Sequence, residues 1–166
     1  VKLAQRAAQV IAVEIDERLL PVLHSQLRDF PNVRVYHADI LQVDLDALLG
    51  ARPYLVVANL PYYITSKILR HLFEARNKAQ RLILTVQQEV AERLVAAPGE
   101  MSLLSVSAQF YGKPQIVARL SPAAFYPRPE VSSAVVRIDL HAKPPVDVPD
   151  EELFFHVVSA GFGQKR

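Results

Sequence analysis

Residues 59–62, with the sequence Asn-Leu-Pro-Tyr, carry the most specific chemical pattern of this chain. They follow an apolar run, residues 54–58, which predicts a strand covered on both faces. Because Pro61 has no amide hydrogen and a fixed φ, the backbone leaves the sheet there with carbonyl oxygens free to accept hydrogen bonds. Asn59 and these carbonyls suit an exocyclic amine, and Tyr62 offers a flat face for a planar base. The alternative is a simple turn into a helix capped by Thr65.

Two carboxylates follow earlier predicted strands in a similar way. Glu14 ends the apolar run 10–14, and Asp39 lies just past the alternating segment 33–37. In doubly wound α/β sheets, a carboxylate at a strand end can accept both hydrogens of a ribose diol, and a second can accept from an adenine amino group. A capping pair with Asp16 and an Asx turn at Asp39 are the alternatives. Their occurrence at successive strand ends favours a nucleoside site.

Phe125 lies in a loop stiffened by three prolines at positions 122, 127 and 129. It could close the other side of a base stacked on Tyr62, and Arg128 in the same loop could contact phosphate. A lone aromatic side chain can equally be part of the core.

The elements that must position these residues alternate along the chain. Strands are predicted at 10–14, 33–37, 54–58, 81–86, 115–120 and 131–140, and helices at 1–9, 19–27, 44–49, from 65, at 89–95, 101–111 and 150–161. This order predicts an α/β fold with a doubly wound, mostly parallel sheet and an antiparallel hairpin at one edge. Ligands bind such sheets at the carboxyl ends of the strands.

Composition narrows the classes of protein. The 166 residues are 51% hydrophobic and 22% charged, with a mean hydropathy of +0.13, as in one packed soluble domain. Without cysteine, the chain has no disulfide, thiolate nucleophile or sulfur-ligated zinc, and a cytoplasmic location is expected. Residues 1–50 hold 5 basic against 7 acidic side chains, and the remainder holds 14 against 10. The later part could therefore face phosphate, although a mixed solvated surface explains the same numbers.

Other chemistries lack support in the sequence. The histidines have no metal-ligand spacing, so no metal site is predicted, and the serines of the 101–111 helix lack the glycines of a nucleophile elbow. A nicotinamide-dependent dehydrogenase shares the acidic strand end but gives no reason for the Asn-Leu-Pro-Tyr segment.

Nearly the whole chain resembles the ribosomal RNA adenine N6,N6-dimethyltransferases, specifically the bacterial small-subunit (16S), kasugamycin-sensitivity type. The resemblance rests on the segments VIAVEID, HADIL, VANLPYYITSKIL, LTVQQEVAERL, SPAAFYPRPEVSSAVVRI and GFGQKR. It implies a Rossmann-like sheet that binds S-adenosylmethionine. By this resemblance Glu14 binds the ribose of the cofactor, Asp39 its adenine amino group, and Ile15 and Ile40 sandwich its adenine ring.

The resemblance also implies a site for the target adenine. Asn59, which also belongs to the implied cofactor-binding residues, would hold the amine together with the carbonyls around Leu60 and Pro61, while Tyr62 and Phe125 stack on the base. The implied activity is dimethylation of two adjacent adenines near the 3′ end of small-subunit ribosomal RNA during ribosome biogenesis. The implied partner is the immature 30S subunit, with a monomeric enzyme and no membrane.

Two other activities remain as alternatives: a large-subunit adenine methylase of the macrolide-resistance type, and a non-catalytic RNA-binding or ribosome-assembly factor. In this family a glycine-rich loop precedes the part that corresponds to this chain, and a small helical domain follows it. We therefore expect a fragment with two parts: residues 1–142, an N-terminally incomplete catalytic domain, and residues 143–166, a linker and the start of a helical RNA-binding domain.

Overall fold

The computed structural model describes residues 1–163, and the chain divides into two compact units, Val1–Leu48 and Leu49–Arg166. The last three residues of the GFGQKR segment, which also end the expected 143–166 part, lie outside the described residues.

The first unit is built on two parallel strands, β1 (Val10–Glu14) and β2 (Val33–His37), in the predicted positions. Between them, α1 (Leu20–Leu27) follows a short 3-10 turn that Asp16 caps by accepting from the Arg18 amide. The helix α2 (Leu45–Leu49) begins at the end of this unit, as the sequence predicted.

The opening helix predicted over residues 1–9 is wrong, because this segment forms hydrogen-bonded turns. The Asn32 side chain donates to the carbonyl oxygens of Ala4, at 2.8 Å, and Ala7, at 2.9 Å. In a helix these oxygens would accept from amides four residues later along the chain. The residues of this segment favour a helix, but the hydrogen bonds from the distant Asn32 side chain are formed in its place.

The second unit contains a four-stranded sheet with the order β3-β4-β6-β5. Its strands are β3 (Leu55–Asn59), β4 (Arg81–Gln87), β5 (Gly112–Leu120) and β6 (Ser133–Leu140). β3 and β4 are parallel, whereas β6 is antiparallel to both β4 and β5. The antiparallel hairpin at one edge is thus confirmed.

Up to residue 163, the α-helices of this unit are α3 (Thr65–Glu74), α4 (Gln88–Leu94), α5 (Leu103–Tyr111) and α6 (Glu151–Gly163). The core consists of fully buried residues of β4 and β6 together with the apolar face of α3, namely Leu82, Leu84, Val86, Val136, Ile138, Ile68, Leu69, Leu72 and Phe73. The rings of Phe154 and Phe155 on α6 stack on Phe110 and Tyr111, with centroids 5.1 and 5.6 Å apart. None of the helices within residues 1–163 has the length and apolar character to span a membrane.

The expectation that β3 is covered on both faces is wrong. Leu55 is 60% exposed and Val57 is 50% exposed, and Asn59 continues the same exposed face. An apolar run indicates that both faces of a strand favour burial. Whether a face is buried depends on other elements of the fold, which the run itself does not specify. The polar end of β3 consequently stands on an accessible face.

Candidate active site

Glu14 and Asp39 lie together at the carboxyl ends of the two strands of the first unit. Glu14 is paired with His37 across the sheet, and its carbonyl oxygen accepts from the amide of Ala38, at 3.0 Å. Asp39 directly follows Ala38 in the sequence. The structure therefore brings together the two carboxylates that the sequence predicted to share a site.

Both carboxylates also take part in the local turns considered as alternatives. Oε1 of Glu14 accepts from the amide of Asp16, at 2.8 Å, and Oδ1 of Asp39 accepts from the amide of Leu41, at 2.9 Å. No described residue donates to the second oxygen of either carboxylate. Each side chain is thus held by one oxygen and keeps the other available for a ligand.

The charge on Glu14 is not neutralised by a neighbouring base. Arg18, the closest arginine in sequence, pairs with Asp16 at 2.7 Å, and its hydrogen bonds lower the pKa of Asp16 to about 2. Within residues 1–163 no basic side chain forms an ion pair with Glu14. The carboxylate can therefore accept hydroxyl hydrogens without first losing a salt bridge.

Two isoleucines adjoin the carboxylates. Ile15 is 63% exposed and directly follows Glu14, and Nε2 of His37 lies 3.2 Å from its carbonyl oxygen. Ile40 is half-buried and begins the 3-10 turn Ile40–Gln42 after Asp39. An exposed isoleucine beside a free carboxylate oxygen provides an apolar face and an acceptor, which are the contacts that a nucleoside needs.

In the second unit, Asn59 and Leu60 end the pairing of β3 with β4. Asn59 is paired with Thr85, whose carbonyl oxygen accepts from the Leu60 amide at 3.0 Å as the last bond of the ladder. The side chain of Asn59 is exposed, and no described residue bonds to its amide group. This amide is therefore available to a substrate.

The carbonyls of Leu60 and Pro61 differ in their availability. The oxygen of Pro61 accepts from the amide of Ile64, at 3.2 Å, and from Oγ1 of the buried Thr65, at 3.0 Å. Among the described residues none donates to the oxygen of Leu60. Of the two carbonyl oxygens that the resemblance implied, that of Leu60 can still accept a hydrogen bond. That of Pro61 already accepts two, and these bonds hold the turn that follows it.

The two aromatic residues lie at the same edge of the second sheet. The half-buried Tyr62 places its hydroxyl 2.6 Å from Oγ of Ser133, the first residue of β6. Phe125 is half-buried in the loop from β5 to β6, and that loop ends at Ser133, which pairs with Gln87 at the carboxyl end of β4. Neither ring contacts another aromatic ring of the described residues, so neither belongs to the cluster of rings that packs α6 against α5.

Sequence analysis missed the role of Ser133. A polar residue at an inward position of an apolar, alternating strand was the signal that could have identified it, because a fully buried hydroxyl requires a partner. The expectation of no metal site remains a prediction. Within residues 1–163 there is no group of three side chains that could hold a metal ion.

The family model described as "Ribosomal RNA adenine dimethylase" matches residues 1–166. The chain belongs to this family. It is 45% identical over 166 residues to the ribosomal RNA small subunit methyltransferase A of Dehalococcoides mccartyi, covering 99% of this chain and 57% of that protein. The protein of the same name from Moorella thermoacetica is 45% identical over 176 residues, and 61% of it is covered. The chain thus spans about three fifths of the length of these relatives.

Solved structures agree with this assignment. The 23S rRNA methyltransferase ErmE superposes with a TM-score of 0.81 at 30% identity, covering 99% of this chain and 66% of ErmE. A dimethyladenosine transferase from Plasmodium falciparum gives a TM-score of 0.79 at 24% identity, with 59% of that chain covered, and supports the fold alone. This chain therefore has the predicted Rossmann-like α/β fold, which it shares with these methyltransferases.

The cofactor of this family is S-adenosylmethionine, and the first unit fits the nucleoside part of it. Glu14 and Asp39 each retain a free carboxylate oxygen, and Ile15 exposes an apolar face beside them. Two free acceptors and an apolar surface are the groups that suit a ribose diol, an adenine amine and an adenine ring.

Proposed function

We propose that this chain is part of an enzyme that dimethylates the N6 amines of two adjacent adenines near the 3′ end of small-subunit ribosomal RNA, in ribosome biogenesis. The observation that carries this proposal is a pair of acceptors at the end of β3, the exposed Asn59 side chain and the carbonyl of the buried Leu60, to which no described residue donates. Identity supports the choice of subunit, because it is 45% to a small-subunit methyltransferase and 30% to ErmE.

The two acceptors act on the amine of the target adenine. Before the first methyl transfer, Oδ1 of Asn59 and the oxygen of Leu60 each accept one N6 hydrogen, which directs the nitrogen lone pair out of the ring plane. Before the second transfer the amine has one hydrogen left, and one of the two oxygens accepts it. The nitrogen becomes more acidic as it turns tetrahedral, so its proton passes to water without a strong base. S-adenosylmethionine, when bound, supplies an electrophilic methyl group. The chain contributes orientation, which can account for a large part of the rate.

The target base must leave its stack to reach these acceptors. Unstacking costs a few kcal/mol, and stacking on an aromatic side chain returns about 1–3 kcal/mol per base. We propose that Tyr62 and Phe125 supply this return from opposite faces of the adenine. Both rings are half-buried and free of other aromatic contacts in the described part of the chain.

For the cofactor, we propose that the free oxygen of Glu14 binds the ribose and that of Asp39 the adenine amino group. Ile15 and Ile40 flank the adenine ring, and Asn59 contributes to cofactor binding as well as to the substrate amine. The exposure of Ile15 and the free carboxylate oxygens support these roles.

We also propose two functional parts and a partner. Residues 1–142 belong to the catalytic domain, and residues 143–166 are a linker and the start of a helical RNA-binding domain, of which α6 is the described portion. The partner is the immature 30S subunit. The enzyme acts as a monomer in the cytoplasm, where this substrate is assembled.

The test is methyl transfer by the full-length protein from labelled S-adenosylmethionine to small subunits that lack these methyl groups. We expect four methyl groups per subunit, located as two dimethyladenines by mass spectrometry of RNA digests. Free large-subunit RNA serves as the competing substrate. Transfer to large-subunit RNA alone would support the macrolide-resistance alternative, and tight subunit binding without transfer would support the assembly-factor alternative.

A further inference from the structure

A hydrogen bond links the proposed base-stacking tyrosine to a buried serine. Oγ of Ser133 and the Tyr62 hydroxyl are 2.6 Å apart, although the residues are 71 positions apart in sequence. Ser133 is 0% exposed, and its hydroxyl makes no other side-chain hydrogen bond to the described residues. The bond therefore provides the only described side-chain partner for this buried group.

Ser133 is a rigid point of attachment. It is the first residue of β6, which lies between β4 and β5, and it pairs with Gln87 on one side and Leu120 on the other. The preceding carbonyl, that of Ser132, accepts from the amide of Gln88 at 3.0 Å. The serine is thus fixed by its backbone on both neighbouring strands.

The hydrogen bond to Ser133 matters because the backbone segment that carries Tyr62 is short. Tyr62 begins a 3-10 turn of three residues, Tyr62–Ile64, between Pro61 and α3. A tyrosine ring held only at its Cα can occupy several staggered rotamers. A hydrogen bond at the far end of the ring selects one of them and sets the plane on which a base can stack.

We infer that Ser133 is a positioning residue that orients the Tyr62 ring for the target adenine. The inference rests on the proposed function and extends it from the residues that touch the base to one that acts through them. The loop that carries Phe125, the other proposed wall of the base site, leads into β6, whose first residue is this serine. The Tyr62 hydroxyl is then needed for orientation, while the ring is needed for stacking.

The test uses the full-length protein with Ser133→Ala, Tyr62→Phe and the double variant. Each single change removes the same hydrogen bond, so each should lower kcat for RNA methylation by about 3- to 10-fold. The double variant should lose no more than the larger single effect, because one interaction is removed in all three. The KM for RNA should change little, since phosphate contacts elsewhere dominate RNA affinity. The Kd for S-adenosylmethionine should remain that of the wild type.

Ser105→Ala is the matched control. Ser105 is also 0% exposed and also forms a 2.6 Å hydrogen bond, to the carbonyl of Arg93, far from the base site in sequence. It should lower Tm and leave kcat unchanged, which separates a general loss of stability from a loss of orientation.

Three results would overturn the inference. The first is a wild-type kcat in Ser133→Ala, and the second is a double variant whose loss equals the product of the two single losses. The third is a loss of kcat that disappears when kcat is calculated per molecule still able to bind S-adenosylmethionine. If Ser133→Ala does not fold, Tyr62→Phe decides, because it removes the same bond and leaves the buried serine in place. Failure of the proposed function looks different, since the wild-type protein would then transfer no methyl group to small-subunit RNA.

Discussion

Replacing Asn59 with alanine tests the proposed chemistry most directly. The side chain is exposed and bonds to no described residue, while its backbone stays paired with Thr85. A change at such a position typically alters the free energy of unfolding by less than about 0.5 kcal/mol. Any large effect on turnover must therefore come from the reaction itself.

The expected magnitude follows from the number of acceptors. Asn59 and Leu60 supply the two acceptors of the proposed amine site, and Asn59→Ala removes one of them. Loss of one preorganised hydrogen-bonding group at a reacting centre lowers kcat by about 100- to 1,000-fold, or about 2.7–4 kcal/mol. Asn59→Asp keeps an acceptor oxygen at the same position, so its loss should be clearly smaller.

The assay compares the single-turnover rate of methyl transfer with the calorimetric Kd for S-adenosylmethionine in full-length wild-type, Asn59→Ala and Asn59→Asp proteins. We expect the rate to fall far more than the cofactor affinity. Equal losses of rate and affinity in Asn59→Ala would refute the assignment of this side chain to the substrate amine. Equal rates for the alanine and aspartate variants would refute the importance of the acceptor.

Three further predictions concern the cofactor site and the sheet of the full-length protein. Glu14→Gln should weaken S-adenosylmethionine binding by about 10- to 100-fold, because it removes a hydrogen bond to a charged group. The kcat at saturating cofactor should be nearly unchanged. An unchanged Kd by calorimetry would exclude this residue from the ribose site. Gly112→Ala should destabilise the protein by about 1–3 kcal/mol in denaturant melts, because an added Cβ would lie 2.8 Å from the carbonyl oxygen of Asp139 and from Cγ2 of Ile138; wild-type stability would show that the β5–β6 pair can adjust. Hydrogen bonds from Arg137 and then Arg81 lower the pKa of Asp139 below its usual value of 3.8, so this group stabilises the fold above that pH and the contribution is lost as the pH falls through the lowered pKa. Asp139→Asn should therefore reduce stability at neutral pH by less than about 1 kcal/mol, since the pair is partly exposed, and the difference from wild type should vanish in strong acid.

The residues that the sequence placed correctly depend on local patterns. Strand β1 begins and ends where its apolar run predicted, and β2 where its alternating pattern predicted; this places Glu14 and Asp39 at neighbouring strand ends. A capping signal at Asp16 likewise identified the start of the helical segment that follows it. Such features need information from only a few adjacent residues.

The features that sequence analysis missed depend on distant partners. The opening turns are held by Asn32, which is 28 residues from Ala4, and the Tyr62 ring by Ser133, which is 71 residues away. The exposure of Leu55 and Val57 likewise depends on which elements cover β3. Hydrophobicity and spacing contain no record of such contacts, so they become visible only in the folded chain.

The turn-forming and ligand-binding interpretations of these residues turn out to be compatible. Asp39 forms the Asx turn expected of a purely local role, yet only one of its oxygens accepts the Leu41 amide. Glu14 divides its carboxylate in the same way through its bond to Asp16, and Pro61 uses its carbonyl to fix the turn that leaves the Leu60 oxygen without a donor among the described residues. Each local bond lowers the number of conformations available to a group that must meet a ligand, which reduces the entropy lost on binding. A residue that closes a turn at the end of a strand is therefore already oriented for ligand binding.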